Sequence, residues 1–138
     1  MEKQLIAHTE GMAVVPHNGQ LPGSLELAFL GDTLYDLYVR SRVLSIGGKV
    51  KHLHTAAAGF VNAGAQSAAF ERIEDMLTEE EQDVVRRARN AKQNPPKNAD
   101  PRAYHRATAF EALLGYLYLF GRVGRIDELM RAALAITD

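Results

Sequence analysis

No cysteine occurs anywhere in the chain. That excludes a disulfide framework, a thiol nucleophile and a zinc–thiolate centre. No apolar run approaches the roughly 20 residues needed to span a bilayer, so no membrane partner is expected. Residues 1–11 carry Glu2, Lys3 and Glu10 and lack the apolar core of a secretory signal, which makes a cytoplasmic location the expectation. There is no credible pair of strands, no repeat and no low-complexity tract. Net charge is close to zero, at −1, so total charge points to no partner. At 138 residues and 46% hydrophobic content, the chain is sized for one domain with a real core.

The charge that is present is unevenly placed. Glu71 to Asp83 holds seven acids against Arg72, and Arg86 to Arg106 holds seven bases against Asp100. A basic block in a chain that is neutral overall reads either as a polyanion surface or as a solvated helix face with a polar loop. Bases near a helix C-terminus also suit its dipole, which is the plainer explanation.

Helical signals cover nearly everything after a lead-in at residues 1–23, where His17-Asn18-Gly19 and Pro22-Gly23 mark turns. Ser24 reads as an N-cap. Leu27, Leu30, Leu34 and Leu37 then recur at helical spacing, and Gly47-Gly48 ends the run. A second flank of the same helix carries Ala28, Asp32, Tyr35 and Val39, which predicts a helix covered on both sides, with Asp32 inside. Two Ala-rich helices, Lys49 to Ala58 and Gly59 to Met76, are predicted to part near Gly59. Thr78 with Glu81 is a capping box opening a helix to Ala91. Gln93 to Ala99, with two prolines, is a loop. Asp100-Pro101 restarts a helix to Phe120, and Arg125 to Ile136 form the last one. The class is all-α: residues 24–138 form one helical domain.

Two acids stand out because each lies in an apolar helical run beside a glycine: Asp32 after Gly31, and Glu111 four residues before Gly115. Glycine inside a helix costs about 1 kcal/mol against alanine, so two of them, each within a turn of an acid, suggest two helices in close contact with the acids at the crossing. Each acid alone is explained as well by a partner base, Arg106 or His105 for Glu111. Asp36 either joins Asp32 at i+4 or pairs with Arg40. Together, the acids have the chemistry of a Mg²⁺ or Mn²⁺ site, because hard carboxylate oxygens suit those ions and leave room for water and phosphate. His52 and His54 lack an evident third ligand and read as polar residues at a helix start. Arg86, Arg87, Arg89, Asn90, Lys92, Lys97, Asn98 and Arg102 combine charge with amide donors, a set suited to phosphates and ribose hydroxyls.

The segment Leu30-Gly31-Asp32-Thr33-Leu34-Tyr35-Asp36 resembles the signature helix of bacterial Mini-ribonuclease III. So do Arg89-Asn90-Ala91-Lys92, Lys97-Asn98-Ala99-Asp100, and Tyr104 through Leu119 with Phe110-Glu111-Ala112-Leu113-Leu114-Gly115 at its centre. A weaker match runs through His54-Thr55-Ala56, Phe60 to Ala63, and Gln66. The set spans about residues 21 to 135 in consistent order. It implies a ribonuclease III catalytic domain without a separate double-stranded-RNA-binding domain, for which the chain is too short. It further implies an all-α, ribonuclease III-like helical bundle, acting as a homodimer that hydrolyses double-stranded RNA with Mg²⁺, with Mn²⁺ as a substitute. The implied role is maturation of large-subunit (23S) ribosomal RNA, with a ribosomal protein or the pre-ribosome as a further partner.

By that resemblance Asp32 and Glu111 are the catalytic and metal-holding acids, and Phe29 lies at the subunit contact; without the resemblance Phe29 is ordinary core. Full-size enzymes of the family carry further acids in E-R-L-E-F-L-G-D. Here those positions are Leu25 and Ala28, and Thr108 stands where another acid would be. Two other classes remain open at this point. One is a non-catalytic helical dimer that binds RNA or assists ribosome assembly. The other is an all-α nucleotide pyrophosphohydrolase, which would show more carboxylates in E-x-x-E spacing.

Overall fold

A computed structural model describes residues 20–135. Residues 1–19 of the expected 1–23 lead-in, with the His17-Asn18-Gly19 turn, and the predicted helix end at Ile136 lie outside the described residues. Among the described residues six α-helices follow one another: α1 (Ser24–Ile46), α2 (Val50–Val61), α3 (Ala63–Glu71), α4 (Glu79–Arg89), α5 (Pro101–Leu119) and α6 (Val123–Ala133), with a 3₁₀ turn at Glu74–Met76. No strand occurs among the described residues.

The ends follow local chemistry. Thr78 Oγ1 accepts from the Glu81 amide at 3.2 Å while the Glu81 carboxylate accepts from the Thr78 amide at 2.9 Å, the reciprocal box its spacing predicts. Asp100 caps α5 through the Arg102 amide at 3.1 Å, with Pro101 at the first position. Several ends differ from the sequence expectation: the helix expected to reach Met76 stops at Glu71, and the last helix opens at Val123, ahead of Arg125. The cap of α1 is Gly23, and Ser24 is already helical; Glu26 reaches back to accept from the Gly23 amide. The break between α2 and α3 falls at Asn62 and not at Gly59. Asn62 is extended, and its Oδ1 accepts from the Ala65 amide at 2.8 Å, so it starts a new helix. Gly59 simply sits inside α2 with open space around it.

Helix α5 is the axis of the molecule. From Arg106 to Leu119 nearly every residue is buried, because α1, α3, α4 and α6 all pack against it. This overturns one expectation about α1. That helix buries a single stripe, Leu27, Ala28, Gly31, Tyr35, Val39 and Val43, and leaves Leu37 and Asp32 exposed. The helix covered on all sides is α5, whose apolar residues form no one-sided stripe. Phe110 of α5 meets Tyr35 of α1 edge-on at 5.8 Å and Phe70 of α3 at 5.7 Å, and the three are buried together. The Tyr35 hydroxyl donates to the Phe60 carbonyl at 2.8 Å, tying α2 to α1.

Candidate functional site

Where α1 crosses α5 the two backbones touch. A Cβ on Gly31 would stand 1.6 Å from the Glu111 carbonyl oxygen, and one on Gly115 would stand 2.1 Å from that of Leu27. Only glycine permits this approach. Its consequence is that Asp32, next to Gly31, and Glu111, one turn before Gly115, share one cleft of about 440 Å³. The two acids are brought together as their glycines suggested.

Their environments differ. Asp32 is exposed, contrary to the covered position expected from the α1 pattern, because it lies one residue outside the buried stripe. Glu111 is half-buried. Burial pushes its carboxyl up to about 8; a hydrogen bond with Asp32 and the Asp32 charge act the same way, while a hydrogen bond from Gln66 opposes them. Neither base considered for Glu111 reaches it: Arg106 binds Glu74 at 2.6 Å and Ser67 at 3.1 Å, and His105 lines a separate pocket with its Nδ1 buried and unpartnered. Asp36 does not join the pair either; it holds Arg40 at 2.9 Å.

The cleft wall also contains uncharged polar residues, of which the sequence marks Thr108 only as a missing acid and Gln93 only as loop. Thr108, one turn before Glu111 on α5, donates its hydroxyl hydrogen to the Tyr104 carbonyl at 3.1 Å. A threonine hydroxyl has one hydrogen, so toward Gln93 it accepts, at 3.0 Å from Nε2. That fixes the Gln93 amide and leaves its Oε1 buried without a partner. Gln66 and Tyr104 line the same cleft. Uncharged amides carry no periodicity or charge signal; the resemblance points here through Thr108, Tyr104 and the weaker Gln66 match, and nothing points to Gln93.

The donors fit a divalent cation. Two carboxylates facing each other disfavour joint ionisation unless positive charge lies between them. Two acids with neutral oxygens nearby are what Mg²⁺ takes when it keeps several waters and meets a phosphate. Among the described residues no group of three or more His, Asp or Glu is gathered to hold a metal, so the chain's own acidic contribution is this pair. His52 and His54 are both exposed on α2.

The predicted basic residues divide between two faces. Arg86, Arg89, Asn90 and Arg102 line a separate pocket of about 680 Å³ with His105 and Arg106, on the other flank of the first turns of α5. Arg87 faces a different recess, beside Glu80 and Tyr116. Arg86 and Arg87 both bind Asp83. Lys92, Lys97 and Asn98 stand exposed on the loop between α4 and α5. Phe29 is 84% exposed at the cleft mouth beside Leu25, which rules out ordinary core.

No helix among the described residues is long and apolar enough to cross a membrane. The family description "Ribonuclease III domain" matches residues 25–122, a stretch containing both acids and both glycines of the crossing. The Mini-ribonuclease 3 of Thermoanaerobacter sp. is 40% identical over 141 residues, covering 100% of this chain and 99% of the relative. That of Symbiobacterium thermophilum is 51% identical over 111 residues, covering 79% and 85%. A crystal structure of a protein from Fusobacterium nucleatum superposes with a TM-score of 0.74 at 33% identity, covering 82% of this chain and 92% of that one.

Proposed function

The chain belongs to the ribonuclease III family and is an endoribonuclease of double-stranded RNA, and from that premise we propose that it acts as a Mg²⁺-dependent homodimer in maturing large-subunit ribosomal RNA. The observation that carries the site assignment is the meeting of Asp32 and Glu111 in one cleft at the Gly31–Gly115 crossing. Asp32 and Glu111 would hold the cation, with Mn²⁺ as a substitute. When bound, such a cation activates water and neutralises charge at a phosphodiester.

The chain's own contribution is placement. Backbone contact between α1 and α5 removes the freedom of the two carboxylates to drift apart. The half-buried side of the pair, Glu111, is partly shielded from water, and the exposed side, Asp32, opens to a substrate. Residues 24–138 serve as the catalytic domain. In a two-fold dimer built over Phe29, two such clefts can address both strands of a duplex. A-form RNA is held mainly through phosphates and 2′-hydroxyls. Arg86, Arg89, Asn90 and Arg102 around their pocket, with Arg87, Lys92, Lys97 and Asn98 beside it, are the proposed contacts for that backbone. A ribosomal protein or the pre-ribosome is the proposed setting in which this substrate is presented.

The test is direct. The protein is incubated with perfect duplex RNA, with and without Mg²⁺, and the product ends are mapped on both strands. Mg²⁺-dependent cuts on both strands are expected from wild type. Binding without cleavage at any Mg²⁺ concentration would overturn the reading in favour of a non-catalytic RNA-binding dimer.

A further inference from the structure

Gln66 is the most deeply buried polar side chain on the cleft wall, at 3% exposed. A buried amide is costly unless its hydrogen-bonding groups find partners. Its Nε2 donates to the Val61 carbonyl at 3.3 Å, a group that the end of α2 leaves without a helical donor. An amide nitrogen carries two hydrogens, and beyond Val61 the Gln66 amide stabilises the charged form of the Glu111 carboxylate, which lines the same cleft. The backbone of Gln66 is itself fixed. Its amide bonds the Asn62 carbonyl at 3.0 Å, in the first turn of a helix that the Asn62 side chain caps. The helix break at Asn62 therefore delivers this one side chain between Val61 and Glu111.

We infer that Gln66 is a positioning residue for RNA cleavage: its amide holds the Glu111 carboxylate turned toward Asp32, so that the two acids can share one cation. This rests on the reading of Asp32 and Glu111 as the metal-holding pair. The choice of an amide has a physical logic. A lysine or arginine at this place would hold Glu111 equally well, but its charge would cancel the negative charge a cation needs. Glutamine orients the carboxylate and leaves its charge available. Groups of this kind, hydrogen-bonded to a ligating carboxylate, govern how well the ligand set is presented.

The test uses the full chain and Gln66→Met, which keeps the length and removes the amide. Two quantities are measured: the Mg²⁺ dependence of thermal unfolding without RNA, and kcat and KM on perfect duplex RNA. The methionine variant is expected to need about 10- to 100-fold more Mg²⁺ for half its thermal shift, and to lose kcat by a similar factor at fixed Mg²⁺ with KM within about twofold. An unchanged Mg²⁺ midpoint and kcat, even with a lowered Tm, would overturn the inference and leave Gln66 as a partner for Val61 only. If circular dichroism shows the methionine variant unfolded, Gln66→Asn gives the same test, since it keeps a polar amide but is one methylene too short to serve both partners. Wild type that shows no Mg²⁺-dependent cleavage fails the metal reading itself; wild type that cuts no better than the variant fails only the role of Gln66.

Discussion

Neutralising Glu111 is expected to have two opposite effects. Glu111→Gln removes a carboxyl whose charged form is disfavoured first by burial and then by Asp32, so the metal-free chain should gain about 1–2 kcal/mol, roughly 3–8 °C in Tm. The same change should remove the Mg²⁺-induced thermal shift and cut duplex RNA cleavage by at least about 100-fold, as should Asp32→Asn. Differential scanning calorimetry with and without Mg²⁺, beside a cleavage assay, reads both effects; full cleavage by either variant would sink the site assignment. The two acids were legible in the sequence because each stood next to a glycine that a helix interior does not favour. The exposure of Asp32 was not. A helical wheel places residues on faces, but which face a neighbour covers depends on where α5 crosses. Gln66 and Gln93 were hidden for a different reason: a neutral amide disturbs neither charge pattern nor apolar spacing.

At the scale of the helix, the crossing makes its own prediction. Alanine is normally the better helix former by about 1 kcal/mol, so Gly59→Ala, with open space around it on α2, should be neutral or stabilising by up to that amount. Gly31→Ala puts its methyl carbon onto backbone of another helix, which cannot step aside as a side chain does, and should cost about 3 kcal/mol or more. Urea denaturation of the two variants side by side checks the contrast. A second link joins α4 to α6. Burial raises the Glu81 carboxyl, but hydrogen bonds and charge from Arg125, with the Thr78 amide, outweigh it and hold it below its ordinary 4.5. Because the folded value lies below the unfolded one, this stabilisation is present above about pH 4.5 and is lost as pH falls through the lower folded value. Arg125→Met should therefore cost about 3 kcal/mol at neutral pH and make stability less sensitive to acid below pH 4.5, as read from Tm against pH. The cap at Thr78 and the restart at Asp100 were legible because caps are local. The break at Asn62 was misplaced at Gly59 because glycine is the louder signal, although only the asparagine side chain bonds the new helix.

For the molecule as a whole, the all-α class followed from the spacing of apolar residues, and the identity of the central helix did not. The α5 segment is apolar around its circumference, and such a segment reveals that it is buried without revealing by what. The proposed dimer is tested on Phe29. A phenylalanine 84% exposed at the mouth of a polar cleft is an expensive thing to leave in water. Phe29→Asp should keep the helical circular-dichroism spectrum, shift the particle from dimer to monomer mass in light scattering, and abolish paired cuts on the two strands. A wild-type monomer at micromolar concentration, active on both strands, would rule the dimer out.

The contact between Gly31 and Gly115 also says something about order in time. One half of the cleft is written in α1 and the other in α5, with three helices between them, and neither carboxylate has its partner until α5 exists and has docked. Contacts between residues so far apart close late in folding, after local helices have formed. During synthesis, α1 leaves the ribosome long before α5, so a nascent chain of this nuclease would carry an unfinished cleft beside the very class of RNA that it is proposed to cut. On this reading the acid pair comes into being only once α5 has emerged and docked on α1, and chain topology itself delays the onset of activity.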